Sequence, residues 1–208
     1  MTSKEMRANP LFMRNSFYSE GRWGIPFVRK QDIPLSTDTK LIAYSDIRLN
    51  DNDLNKQCGV HFFIDDYRFG DIYHHPERSF QRLAQYSFIL TPDFSTYAEM
   101  DLWRQMESVA MNRWMGAFWQ NKGLLTIPTM SWSTPRSFDF CFEGIEKGSA
   151  VAVGMIGCKR NRRAFMQGYY EMLDRIEPST ILCFGEPFSE MEGNIISVNY
   201  RDSRKVVR

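Results

Sequence analysis

"GVHFFIDDYRFGDIYHH" (residues 59–75) passes from a near-continuous apolar run into three aspartates, an arginine and a pair of histidines. A strand with one wet face alternates apolar and polar residues, whereas a strand covered on both faces reads as solid apolar chain. The run from Gly59 to Asp65 is of the second kind, so it is expected to lie in a parallel sheet under helices. The same phrasing recurs at "LIAYSD" (41–46), "SFILTPDF" (87–94), "LLTIPTMSW" (124–132), "SAVAVGMIG" (149–157), "STILCFGE" (179–186) and "GNIISVNY" (193–200). The strand at 124–132 contains Pro128, so its end is expected to be irregular.

Helical periodicity fills the intervals. "PERSFQRLAQY" (76–86) opens on a proline and places Phe80, Leu83 and Ala84 on one face. A long helix is expected from a cap at Ser95 or Thr96 to Gly123, with Leu102, Met106, Val109, Ala110, Ala117 and Phe118 at helical spacing. Trp103, Trp114 and Trp119 widen that stripe and are expected in the core. "RRAFMQGYYEMLDRI" (162–176) carries Phe165, Tyr169, Met172, Leu173 and Ile176 on one side. Strands alternating with helices predict an α/β fold: a mostly parallel sheet of five to seven strands with covering helices and right-handed crossovers. That sheet is either open or an incomplete TIM-like barrel, because a full barrel takes roughly 200 to 250 residues with short loops. Residues 1–40, with Pro10, Pro26 and Pro34 and no sustained period, read as an irregular N-terminal arm packed on the domain. Residues 41–200 read as a single α/β domain and 201–208 as a basic C-terminal tail.

Composition narrows the classes of function. Twenty-six Lys and Arg against 25 Asp and Glu give a formal charge of +1, so no whole-chain attraction for nucleic acid or an anionic membrane exists, and any such contact must be local. The four cysteines, at 58, 141, 158 and 183, show neither CxxC nor metal-site spacing and predict reduced thiols in a cytoplasmic setting. No stretch of 18 apolar residues and no signal-peptide pattern is present, so no membrane association is expected. Nucleotide-loop and nucleophile-elbow motifs are missing, so no nucleotide cofactor is expected. Oligomeric state is not encoded in any readable feature.

Taken in order, "GVHFFIDDYRF", "LTPDFSTY", "GLLTIPTMSW", "FCFEGI" and "CFGE" resemble the bacterial and phage family known as domain of unknown function 4417, over roughly residues 23 to 186. The resemblance implies an accessory protein of phages, prophages and plasmid-like elements, working in the host-cell cytoplasm where phage-encoded. It implies no catalytic residue, so the site must be read from the residues themselves.

In parallel α/β sheets ligands bind beyond the carboxyl ends of the strands, where loops and helix N-termini converge. Here those ends carry Asp46, Asp65 with Asp66, Asp93, and Glu186. Carboxylates gathered at one rim can hold divalent cations and activate water, so Asp65, Asp93 and Glu186 are the candidate catalytic and metal-ligating set for Mg²⁺ or Mn²⁺. Aspartates also favour strand ends simply because they solvate turns. Strand alternation would place Asp65 with His61 and Phe63 on one face and Asp66 on the other. Arg68 is a candidate clamp for an anionic substrate or the structural partner of a neighbouring carboxylate. In "CKRNRR" (158–163), Lys159, Arg160, Arg162 and Arg163 form a candidate phosphate-binding loop at a helix N-terminus. His61 is expected to be a core histidine, and His74 and His75 a solvated turn. Two functions compete on this basis. One is metal-assisted hydrolysis by a phosphodiesterase or nuclease-like enzyme acting on nucleic acid or a phosphorylated small molecule. The other is non-enzymatic docking on a host, replication or defence protein through the aromatic arm (Phe12, Phe17, Tyr18, Trp23) and the basic loop. A carbohydrate-active barrel using two carboxylates is a third and weaker option.

Overall fold

The computed structural model describes residues 2–203. The chain begins with two short helices, α1 (Ser3–Ala8) and α2 (Pro10–Met13), and a two-residue antiparallel pair, β1 (Ser19–Glu20) with β2 (Ile25–Pro26). The arm therefore holds more regular structure than its proline spacing suggests. A capping box between Thr2 and Glu5 closes the first turn of α1. Phe17 packs edge-on against Trp114, with ring centroids 5.3 Å apart, and fastens the arm to the domain.

The domain proper contains β3 (Leu41–Ala43), α3 (Asp53–Lys56), β4 (Gly59–His61), α4 (Asp71–His74), α5 (Pro76–Leu83), β5 (Phe88–Leu90) and α6 (Leu102–Asn121). It continues with β6 (Thr126–Ile127), β7 (Thr129–Met130), α7 (Phe138–Cys141), β8 (Ala150–Gly154), α8 (Arg162–Ile176), β9 (Thr180–Phe184), β10 (Ile195–Val198) and α9 (Tyr200–Ser203). Two four-stranded sheets result, in the orders β3-β4-β5-β6 and β10-β9-β8-β7, and every pairing within them is parallel. Pro128 alone separates β6 from β7. It lacks an amide hydrogen, so the ladder breaks there and one extended segment serves both sheets.

Residue alternation assigns the faces. Val60 and Phe62 point outward under α6, beside Trp114 and Trp119. Val151, Val153, Ile181 and Cys183 face Phe165, Tyr169 and Met172 of α8. The opposite faces of both sheets share one interior, which contains Leu41, Phe63, Phe88, Leu90, Ile127, Ala152, Leu182 and Phe184. Phe63, just beyond β4, stacks on Phe184 of β9 at 4.9 Å and 11°. These strands lie several positions apart in a structure whose neighbouring strands are about 4.8 Å apart, so the sheets curl towards each other. Each of these large side chains contributes about 1.5–3 kcal/mol by leaving water. No pairing joins β3 to β10 among the described residues; α9 packs beside β3 instead.

Several expectations need correction. The strand at 59–65 stops at His61, because the Phe63 amide turns to donate to His61 Nδ1 (3.2 Å) and the Ile64 amide to the Phe62 carbonyl (2.7 Å). The long helix starts at Leu102 behind Asp101, not at Ser95 or Thr96. Ser95 is already engaged: its hydroxyl donates to Asp66 and its carbonyl accepts from Ser108. Trp114 and Trp119 are core, whereas Trp103 is 64% exposed. His74 and His75 close one turn of helix rather than a loop, with His75 Nε2 3.5 Å from Asp71.

Candidate active site at the carboxyl edge

The loops after β4, β5, β7 and β8 enclose a cavity of about 560 Å³. Asp65, Asp66, Arg68, Asp93, Ser131 and Trp132 line it, with Gly154 forming part of the wall. A Cβ on Gly154 would stand 2.7 Å from the Phe63 ring, so only glycine lets that ring lie against β8. A neighbouring cavity of about 390 Å³ shares Asp93, Ser131 and Trp132 and extends to Cys158 and Asn161. A larger cavity, about 880 Å³, opens at the other edge of the sheet, and among the described residues Asp38 and Lys40 are its charged lining. Its walls are strand beginnings and lack the acidic convergence of the carboxyl edge.

Asp93 is set by a rigid support. The Thr91 hydroxyl donates to Asn112 Oδ1 (2.8 Å), and Asn112 Nδ2 donates to the carbonyls of Pro92 (2.8 Å) and Thr129 (3.2 Å). Thr129 returns two bonds of 2.7 Å to Thr91, so the tips of β5 and β7 are locked together. Buried Arg113 donates to the carbonyls of Thr129, Cys141 and Glu143, where it replaces water at three strand and loop ends. Gln105 and Ser108 continue this polar side of α6. Gln105 holds the Met100 carbonyl and accepts from Ser133, and Ser108 holds the Ser95 carbonyl. Gln105, Ser108 and Asn112 recur at helical spacing, so one stripe of α6 fastens the loops around the cavity.

The Asp93 carboxylate itself has no hydrogen-bond partner among the described residues, although it is mostly enclosed. Desolvation, with the negative charge of Asp66 adding to it, pushes its pKa up to about 7. Asp66 is held differently: its two oxygens accept from the Ser95 amide (3.0 Å) and hydroxyl (2.9 Å). Besides Asp65, the cavity thus contains Asp66, fixed by Ser95, and Asp93, which has no hydrogen-bond partner among the described residues. Cys158, across the adjoining cavity, stays a thiol: burial raises its pKa to about 11, the charge of Asp93 adds to that, and its Sγ lies 3.4 Å from the Gly154 carbonyl.

The predicted site residues divide into two groups. Asp65, Arg68 and Asp93 line one cavity, joined by Asp66 because β4 ends early enough for both consecutive aspartates to reach it. Glu186 does not join them. It lines a separate hollow with Lys159 and Arg201, and its carboxylate lies 3.5 Å from Lys159 Nζ. No group of three or more His, Cys, Asp or Glu placed to hold a metal occurs among the described residues. Of the set Asp65, Asp93 and Glu186, the structure thus brings Asp65 and Asp93 to one cavity, beside Asp66, and leaves Glu186 outside it. The tip of β9 does meet the β4 loop, where Phe184 stacks on Phe63, but Glu186, two residues further on, lines the hollow beside Lys159 and Arg201 instead. Arg68 is exposed and forms no ion pair among the described residues; its Nε donates to the Tyr67 hydroxyl at 3.5 Å and its guanidinium lies 6.0 Å from the centre of the Tyr67 ring. The basic loop is also split. Lys159 pairs with Glu186 and Arg162 with Glu190, while Arg160 and Arg163 are exposed and form no ion pair among the described residues. Arg204, Lys205 and Arg208 of the basic tail lie outside the described residues.

Asn112, Arg113, Gln105 and Ser95 escaped sequence reading. The available signal was the polar pair in "VAMNRWMGAFW" (109–119), too polar for a helix covered on all sides unless it serves buried carbonyls.

Two four-stranded parallel sheets with covering helices, and a cavity lined by acids beyond the strand ends, make this an α/β protein. The chain belongs to the DUF4417 family, described as a domain of unknown function, whose model matches residues 17–201. It is 37% identical over 179 residues to the "Gene 1 protein" of Mycobacterium phage L5, covering 85% of this chain and 77% of that protein. It is 35% identical over 178 residues to the "Gene 1 protein" of Mycobacterium phage D29, covering 84% of this chain and 65% of that protein. It is thus a phage-associated protein that spans less than two thirds of the D29 relative. No solved structure matches it. No helix among the described residues is long and apolar enough to cross a membrane.

Proposed function

We propose that the carboxyl-edge cavity is a catalytic site in which Asp93, beside Asp66, acts on a phosphoester, and that the curled sheet is a barrel short of its last unit. The observation that carries this reading is the unpartnered Asp93 carboxylate held beside a second acid. Their repulsion is relieved in two ways. A proton on Asp93 makes it a general acid, which becomes a general base once it is lost near neutral pH. Alternatively, Asp66 and Asp93 would hold a divalent cation, Mg²⁺ or Mn²⁺, which would supply positive charge for a substrate phosphate. Arg68 in the cavity, and Arg160 and Arg163, exposed and without an ion pair among the described residues, suit an anionic substrate, nucleic acid or a phosphorylated small molecule. The setting is the cytoplasm of the infected host.

Hydrolysis of mono- and diester phosphates by the full chain, with and without Mg²⁺ or Mn²⁺, tests the reading. Turnover that Asp93→Asn reduces at least a hundredfold is expected, together with a rise in Tm on adding cation that the same substitution removes. Turnover without a cation-dependent Tm shift would leave the acid–base form and discard the cation. No turnover in any arm would overturn the catalytic reading.

A second reading, docking on a host, replication or defence protein, draws on exposed aromatic rings. Phe12, Tyr18 and Trp23 on the arm are 41–62% exposed, and Tyr67, Tyr97 and Trp103 near the cavity are 64–80% exposed. Phe17 is excluded from such a surface because Trp114 already covers it.

A further inference from the structure

The cavity of about 390 Å³ beside the acidic one shares Asp93, Tyr97, Ser131, Trp132 and Ile156 with it, so Asp93 stands at the junction of two lobes. The lobes differ in charge. Arg68 lines the first, whereas the second has no lysine or arginine among its described lining residues and carries Glu99 in addition to Asp93. A phosphate finds a cation in the first lobe; in the second it would meet only negative charge.

The second lobe is open to a ligand. Tyr97 is 65% and Ile156 59% exposed, Glu99 and Asn161 are exposed, and Thr96, Ser131 and Trp132 are half-buried. Its polar groups are unspent: the Thr96 and Ser131 hydroxyls and the Asn161 amide make no hydrogen bond among the described residues. Asn161 stands at the cap position of α8, where an asparagine side chain ordinarily accepts from the first turn, yet it makes no cap bond. Trp132 is held in place. Its indole N–H donates to the Phe165 carbonyl at 3.2 Å, and a Cβ on Gly168 would stand 2.2 Å from the ring. With that N–H spent, the ring offers the cavity only carbon.

The chemistry of the walls selects the ligand. A wholly apolar group would strip water from Thr96, Ser131 and Asn161 and return no hydrogen bond. A second phosphate would meet Asp93 and Glu99 without a cation, and a nucleic-acid strand, with a phosphate on every nucleotide, is disfavoured on the same ground. An uncharged ring bearing hydroxyls suits both kinds of wall: its hydroxyls reach the free polar groups, and its C–H surface lies against Tyr97, Trp132 and Ile156. We propose that this lobe receives the alcohol part of the substrate, and that this alcohol is a sugar without a second anionic group. The proposal rests on the catalytic reading above and narrows its substrate to a sugar phosphate monoester. Hydrolysis then joins a water oxygen to phosphorus and breaks the bond from phosphorus to the sugar oxygen. That oxygen takes a proton from Asp93 at the junction, and the attacking water gives one back.

Kinetics and calorimetry of the full chain test the lobe with ribose 5-phosphate and glucose 6-phosphate, the 1-phosphorylated form of each, and a trinucleotide. At least one monophosphate should bind, and be turned over by kcat/KM, at least tenfold better than its bisphosphate and the trinucleotide. Glu99→Lys, at an exposed position, puts a cation into the lobe and should bring the bisphosphate to within about threefold of the monophosphate. Ser131→Ala with Asn161→Ala should weaken that monophosphate at least fivefold and leave the affinity for inorganic phosphate unchanged. Equal or better use of the bisphosphate or trinucleotide, or a ratio that ignores Glu99→Lys, would overturn the lobe and leave the catalytic reading standing. Selective binding without turnover would keep the lobe and sink the catalytic reading instead. Neither binding nor turnover of any of them would overturn both.

Discussion

Asp51 and Asp93 are both largely enclosed, and the chain treats them in opposite ways. Asp51 is 8% exposed and accepts from Asn55 Nδ2 (2.7 Å), the Asn52 amide (2.9 Å) and the Tyr86 hydroxyl. Burial alone would raise its pKa, but the bonds from Tyr86, Asn55 and the backbone outweigh it and the net shift is downward. Asp93 has burial and a like-charged neighbour with nothing to offset them, and its pKa rises to about 7. Asp51 is surrounded by donors, whereas Asp93 is left with a demand that a proton meets, which is the pattern the proposed catalytic role rests on.

The sharpest way to break that contrast is to remove each acid in turn. Asp51→Ala strands Tyr86 and Asn55 and should cost about 2–3 kcal/mol in urea unfolding at pH 7. A depressed pKa gives stability that is present above the unfolded-state pKa of about 4 and lost as pH falls through the lower folded value, so the gap between variant and wild type should narrow in acid. Asp93→Asn should do the reverse. With the folded pKa raised to about 7, the carboxyl favours folding fully below pH 4 and loses that contribution as pH rises through 7. The asparagine variant should therefore exceed wild type by about 4 kcal/mol at pH 8 and match it near pH 4. Equal destabilisation by both substitutions at neutral pH would erase the distinction.

Smaller effects sharpen it. Ser95→Ala removes one donor to Asp66 and should cost about 1 kcal/mol at pH 7, measured by thermal unfolding. Asp66→Asn removes the like charge and should bring the Asp93 pKa only part of the way down, because desolvation is its larger cause. A full return to the ordinary aspartate value would mean that burial contributes nothing.

The two acids also show what a linear reading sees. "GVHFFID", "SAVAVGMIG" and "STILCFGE" disclose buried parallel strands because covering both faces demands apolar residues at every position. The helix at 162–176 is legible because a single amphipathic face repeats through it, and Pro128 marks the break between the sheets. Asp93 is legible as a strand-end acid. What cannot be read is which ends meet: Asp93 reaches Asp66 because β5 pairs directly with β4, while Glu186 lines a hollow of its own with Lys159. The start of α6 was misplaced because Ser95 and Thr96 look like caps locally, and only the fold shows Ser95 committed to Asp66. Long-range hydrogen bonds such as Asn112 to Pro92 leave no period in the sequence.

The most direct measurement is a carboxyl-carbon NMR titration of the full chain, assigned by comparison with Asp93→Asn. Asp93 should titrate near pH 7, and Mg²⁺ should lower that midpoint if a cation uses the pair. A midpoint near 4 would show a solvated surface acid and contradict the account of the carboxyl edge.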